Sequence, residues 1–189
     1  MDIGVSLYEG ERTRLGGIDL DKDAAVIARW TQDPVYLHRT GAEPVRPLAA
    51  GQVKKKLEAQ AKEAQEGRRR FDFALRLKDD GRLIGLAALE GVEWSHGNAW
   101  LRLALGEPAD RGHGYGGEAL RLLLRYGFYE LNLFRLTAEC GQDNPGGLRF
   151  LERHGFTREV CRRQALYRAG QRWDDYCLGL LRAEWEARS

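Results

Sequence analysis

This chain of 189 residues has few cysteines, no long apolar run and almost no excess of either charge. Each shortage removes a class of function. Cys140, Cys161 and Cys177 are odd in number and widely spaced. They form no C-x-x-C pair and no metal-ligand grouping with the four histidines, so no metal site is expected. Each reads as a small buried strand residue, and free thiols fit a reducing cytoplasm. No apolar stretch approaches the roughly 20 residues that span a bilayer. The opening MDIGVSLYEGERTR begins with an acid and lacks an apolar core, which excludes a signal peptide. A formal net charge of +2 is too small to make nucleic acid or a membrane the expected partner. The expectation is a cytoplasmic, metal-free protein with a single domain over 1–189.

The chain is patterned throughout, without repeats or a long linker. Thr13 to Ile18 reads as a short strand. Asp21 then caps a helix to about Gln32, with Ala24, Ile27, Ala28 and Trp30 as its apolar stripe. DPVYLHRTGAEP breaks the chain. A second helix runs from about Ala49 to Gln65. In RFDFALRLK, Phe71, Phe73, Leu75 and Leu77 alternate with polar residues as in a half-buried strand. DDG at 79–81 turns into RLIGLAALEGVEW, and Ser95 to Asn98 turns into WLRLALG, giving three antiparallel strands. A helix from about Gly116 to Leu131 places Glu118, Arg121 and Arg125 on its wet face. FRLTAEC is a further strand, and Asn144 and Pro145 start a short helix that Gly155 stops. Two strands, about Thr157 to Tyr167 and Trp173 to Leu181, end the order β-α-α-β-β-β-α-β-α-β-β. Only the unit around 100–140 reads as a parallel crossover.

Ahead of the third expected helix lies PADRGHGYGGEALRLLL, with four glycines between Arg111 and Gly117. Glycine lets several backbone N–H groups approach one anion, so this is a candidate phosphate cradle. Gly112, Gly114 and Gly117 satisfy the dinucleotide pattern G-x-G-x-x-G. Arg111, Gly114 and Gly116 satisfy a second pattern, [Q/R]-x-x-G-x-[G/A]. A dinucleotide loop leaves its strand directly into the first glycine, whereas GEPAD intervenes here, and too little chain follows for a doubly wound sheet. Glu139, 22 residues after Gly117, is the one feature that suits a ribose-binding acid. There is no G-K-[S/T], so a P-loop is excluded.

The second pattern has its context. LYEGERTRL, DLDKDAAVIARWTQDP, LIGLAAL, LRLALGEPADRGHGYGGEALRLLLRYGFYELNLFRL, NPGGLRFLERHGF and ALYRAGQRWDDYCLGLLRAEW, in this order, resemble the GNAT superfamily of acyl-CoA N-acyltransferases. The likeness is to its branch of ribosomal-protein N-terminal, polyamine and antibiotic acetyltransferases. It implies an α/β (α+β) fold with a mixed, mostly antiparallel sheet of about seven strands and about four helices. It also implies acetyl-CoA as co-substrate and no metal. Two parallel strands, about Trp100 to Gly106 and Phe134 to Cys140, would splay to take the pantetheine arm. The donor would meet the loop residues Arg111, Gly112, His113, Gly114, Tyr115, Gly116 and Gly117. The backbone at Leu103 and Leu105, together with Asn144, would also touch it.

Three positions depart from that resemblance. Leu151 stands where many relatives carry a tyrosine acid, Gly147 where others carry a serine, and Trp100 where a glutamate is frequent. A thiolate with a reference pKa of about 8.5 leaves without a dedicated acid. Glu93 and His96, in the turn before the first splayed strand, are then the candidate bases. Asp110 is expected to order the loop or Arg111. Tyr36, Trp94 and Trp100 are candidate walls of an acceptor pocket. KKKLEAQAKEAQEGRRR reads as a solvated helix face, with a basic edge at Arg68 to Arg70 that could attract an acidic acceptor. The expected reaction is direct attack of an amine (a protein N-terminus, a polyamine, an amino-sugar or another small amine) on acetyl-CoA, by a monomer or homodimer. The alternative is a catalytically silent acyl-CoA-binding module.

Overall fold

The computed structural model describes residues 6–41 and 44–188. The first five residues of the stretch judged above to lack a leader lie outside them. Seven strands form one sheet in the order β1-β2-β3-β4-β5-β7-β6. They are β1 (Thr13–Gly16), β2 (Arg70–Leu77), β3 (Leu83–Glu93), β4 (Asn98–Leu105), β5 (Arg135–Gly141), β6 (Thr157–Arg168) and β7 (Gln171–Leu181). Every pairing is antiparallel except β4 with β5.

Both faces of the sheet are covered. On one side, α1 (Asp23–Trp30), α2 (Pro34–Arg39) and α3 (Ala50–Gly67) bury Ala24, Ile27, Trp30, Leu37, Val53 and Leu57 against Ala74 and Leu86. On the other, α4 (Tyr115–Arg125) and α5 (Pro145–Arg153) bury Leu120, Leu123, Leu148 and Leu151 against Leu75, Leu89, Leu101 and Leu136. Trp185 of the terminal helix α6 (Arg182–Glu186) docks on Phe128 and Tyr129. Alternation in β2 and β4 therefore separates two cores, not a core from water.

The elements match the sequence order, with several local corrections. Asp21 does not cap α1. Asp19 accepts from the amides of Asp21 and Lys22, while buried Asp23 receives two contacts of 2.7 and 2.8 Å from Arg76, tying α1 to β2. The expected break at DPVYLHRT contains α2: Asp33 accepts from the Val35 amide at 2.8 Å and Pro34 takes the first turn. The fourth helix ends its α-helical part at Arg125 and widens into a π turn over Tyr126–Glu130. Glu118 is not on a wet face. It is buried, and accepts from the amides of Arg12 and Thr13 at 2.8 Å each and from the Thr13 hydroxyl. Of the cysteines only Cys140 is buried; Cys161 is exposed on β6 because that strand is the sheet edge.

Candidate active site

β4 and β5 pair only at Asn98–Arg135, Ala99–Leu136 and Trp100–Thr137. Beyond Trp100 both strands continue without pairing to each other, and a split opens. The Gly106 amide bonds the Ile84 carbonyl, so the even-numbered amides of β4 face β3. By alternation the odd-numbered amides face β5; that of Leu101 is used in the last pairing, at Thr137, and those of Leu103 and Leu105 face the split. These are strand donors with no strand partner, in the place where the sequence put Leu103 and Leu105.

The glycine loop lies at the open end of this split. Gly112 and Gly114 have φ of +82° and +86°, left-handed values that a side chain rarely tolerates. Gly114 is the N-cap of α4 and offers no side-chain cap. The first-turn amides of Tyr115, Gly116 and Gly117 therefore point out of the helix without an intrahelical partner. Added to the helix dipole, they make an anion cradle. A Cβ on Gly116 would find its nearest neighbours at 3.8 and 3.9 Å, so nothing in the packing demands glycine there. Close approach of an anion to the backbone would.

Side chains around the cradle are partly those expected. Arg111 turns back to the Gly106 carbonyl at 3.2 Å and stands 3.9 Å from Asp33, so it pins the loop to the end of β4. Asp110 orders the loop through Arg82, which contacts it at 2.8 and 2.9 Å, and not through Arg111. His113 stacks loosely on Tyr115, with ring centroids 5.9 Å apart. Arg12 was missed by sequence reasoning. Its guanidinium lies over the Tyr115 ring at 5.1 Å and beside Gly114. Arg12 precedes the loop by about a hundred residues, and only the β1–α4 contact through Glu118 delivers it there.

At the other edge of the split, Asn144 caps α5 by accepting from the Gly147 amide at 3.1 Å. A Cβ on Gly147 would lie 2.9 Å from the Cys140 sulfur. The space that a serine would use is taken, which explains that departure. Leu151 is buried in the core. The Cys140 thiol is pushed up to about 11 by burial, reinforced by Asp143 and Asp175. It is a neutral thiol at neutral pH.

The face of the sheet under α1, α2 and α3 carries a cavity of about 550 Å³, with Tyr36, Leu37, Leu48, Leu57 and Leu86 among its apolar walls. Burial pushes the Tyr36 phenol up to about 12, against a smaller opposing effect of Arg111. A ladder of alternating charge crosses the floor. Arg70 contacts Asp72 at 2.8 Å and Glu90 at 2.6 Å, and Arg102 contacts Glu90 at 2.8 Å. Arg102 then reaches Glu139 on β5 at 3.5 Å, across the split itself. Arg162 joins Glu139 at 2.8 Å and ends the ladder on Asp175. Glu139, first weighed as a ribose ligand, thus bridges the two edges of the split.

The remaining candidates are scattered. Trp100 lines an adjoining cavity of about 470 Å³ with Glu90, Arg102 and Glu139. Trp94 is not a wall of either cavity. It packs edge-on against Phe71, whose side chain belongs to the opposite core, and its indole N–H donates to the Arg68 carbonyl. Glu93 and His96 are exposed in the β3–β4 turn. That turn sits at the closed end of the split, and Leu103 is five residues up β4 from Asn98, about 17 Å away. The fold does not bring these two residues to the cavity floor. Among the described residues, no group of histidine, cysteine or acidic side chains could hold a metal, and no helix is long and apolar enough to cross a membrane.

Comparisons place this geometry. The curated protein p20 of Bacillus licheniformis, an uncharacterised N-acetyltransferase, is 26% identical over 176 residues, covering 93% of this chain and 96% of its own. YnaD of Bacillus subtilis (strain 168) is 33% identical over 78 residues, 41% of this chain and 46% of its own length, so the chain spans about half of that relative. Among solved structures, spermidine N-acetyltransferase from Vibrio cholerae with CoA and spermine superposes with a TM-score of 0.79 at 19% identity, covering 92% of this chain and 98% of that one. RimL, a ribosomal alpha-N-protein acetyltransferase in complex with coenzyme A, gives 0.78 at 17% identity, covering 91% and 95%. At such identities these two show the fold alone. The sequence model of the acetyltransferase (GNAT) domain matches residues 12–157, and the chain belongs to that family.

Proposed function

We propose that this protein transfers an acetyl group from acetyl-CoA to a primary amine in a single step within a ternary complex. The observation that carries this reading is the split. Unpaired amides of β4 line it, and an uncapped, glycine-rich helix N-terminus stands at its mouth. The first-turn amides of α4, with Arg12 beside them, fit a diphosphate. The N–H groups of Leu103 and Leu105 fit an extended amide-bearing arm and a polarised thioester carbonyl. Bound there, acetyl-CoA supplies an activated acyl group. Relatives with this fold are solved with CoA and with coenzyme A, which supports the donor assignment.

The chain's own residues then divide the work. Glu139 is the carboxylate that touches both edges of the split, and it takes the proton from the attacking amine, directly or through one water. Arg102 and Arg162 hold it in place. No side chain is needed to protonate the departing thiolate, and Cys140 is unfit for that task. A thiol near 11 is a weaker acid than an ordinary thiol at about 8.5. For the same reason Cys140 is a poor nucleophile, so an acyl-enzyme is not invoked.

The test is steady-state kinetics on two variants with acetyl-CoA and a panel of amines. Glu139→Gln should lower kcat by about a hundredfold, the lower range for a lost general base, with little change in acetyl-CoA affinity. Glu93→Gln should stay within about twofold of the parent. The reverse pattern would return the base role to the turn. Acetyl-CoA binding without turnover on any amine would favour the silent binder.

A further inference from the structure

The acceptor cavity has a charge bias that the family fold does not dictate. Five cationic side chains line it, Arg39, Arg46, Lys56, Arg70 and Arg102, against two carboxylates, Asp72 and Glu90. Both carboxylates are already engaged by Arg70 and Arg102. Arg39, Arg46 and Lys56 are exposed at the rim, and none has an ion pair among the described residues. Among the described residues, a polyamine entering here meets uncompensated positive charge, with no lining carboxylate free to receive it.

The proton chemistry points the same way. Glu139 has one oxygen bonded by Arg102 and the other by Arg162, so it has no free charge to offer a polycation. An α-amino group, with a reference pKa of about 7.7–8.0, is substantially neutral near pH 8, whereas a lysine-like amine at about 10.4 is not.

We infer that the acceptor is the free N-terminus of an acidic peptide, its α-amine directed to the split and its carboxylates held by Arg39, Arg46 and Lys56. This rests on the acetyl-transfer reading above and names its substrate class. The rim acts by long-range attraction and by charge-assisted hydrogen bonds at the mouth. The floor contributes no net preference, because its acids and guanidiniums are mutually paired.

Two measurements keep the inference separable from the reading beneath it. The first is calorimetric binding, in the presence of CoA, of an acidic tetrapeptide with a free N-terminal alanine, its lysine-rich counterpart, spermidine and free glutamate. The second is turnover of the same four with acetyl-CoA. The acidic peptide should bind and react best, and the double variant Arg46→Glu/Lys56→Glu should weaken it about tenfold or more while gaining on the basic peptide. Preference for spermidine or the basic peptide, or an unchanged acidic-peptide affinity in the variant, overturns the inference and leaves acetyl transfer intact. Preference for glutamate over the peptide overturns the peptide assignment. Charge-dependent peptide binding without turnover would instead support the acceptor site and remove the catalytic reading.

Discussion

Gly116 and Gly147 are small for opposite reasons. Around Gly116 there is room, since the nearest atoms to a Cβ are the Phe150 ring and Leu105 at 3.8 and 3.9 Å. Gly116→Ala should therefore leave thermal stability unchanged, or raise it slightly through helix propensity, while weakening acetyl-CoA by about tenfold in a calorimetric titration. Equal affinity would remove the cradle from the donor site. Gly147 has no room, because Asn144 and the Cys140 sulfur fill it. At Cys140 itself the raised thiol makes a chemical prediction. At pH 8 iodoacetamide should modify exposed Cys161 well before Cys140, whose thiolate is about one part in a thousand at a pKa near 11. Peptide mapping after partial alkylation reads the order directly.

Between elements, the contact that matters most for the donor site is β1 against α4. Burial alone would raise the Glu118 carboxyl. The amides of Thr13 and Arg12 and the Thr13 hydroxyl outweigh it and hold the carboxyl below the usual range. A depressed carboxyl contributes stability that is present above its unfolded value of about 4.3 and is lost as pH falls through its lower folded value. Glu118→Gln should cost about 1–3 kcal/mol at neutral pH. It should also flatten part of the fall in Tm below pH 4, as scanning calorimetry would show. The same substitution should loosen Arg12 and with it the cradle. This tie was illegible in the sequence, where Glu118 at a helical spacing with Arg121 and Arg125 looks like one more solvated charge.

For the molecule as a whole, charge is arranged and not abundant. A formal net charge of +2 conceals a cavity bordered by Arg39, Arg46 and Lys56 and a charge ladder that crosses six strands, from Asp72 on β2 to Asp175 on β7. Exposed rim charges are screened at about 8 Å in physiological salt, so the KM for an acidic acceptor should rise as salt is added. Under the proposed binding by backbone amides in the split, acetyl-CoA should respond less. A KM for the acceptor that is flat between low and high salt would argue against steering by the rim.

Local patterns settled much of this protein. Periodicity placed the seven strands and the helices over residues 23–30, 50–67, 115–125 and 145–153. The glycines between Arg111 and Gly117 located the loop and the start of α4, because positive φ leaves few residue choices. Asn144 and Pro145 marked α5 for a similar reason: a cap is a contact between residues near in sequence. What depended on residues far apart was decided by the tertiary structure. Glu93 and His96 precede the split strand in sequence and lie at its closed end, and Trp94 turns to the opposite face because a bulge between Glu90 and Glu93 breaks the alternation. Arg12 reaches the loop only through the pairing of β1 with β2 and the bond its amide donates to Glu118. Glu139 meets Arg102 because the parallel register that pairs Trp100 with Thr137 sets residues 102 and 139 level with each other on one face, across the split.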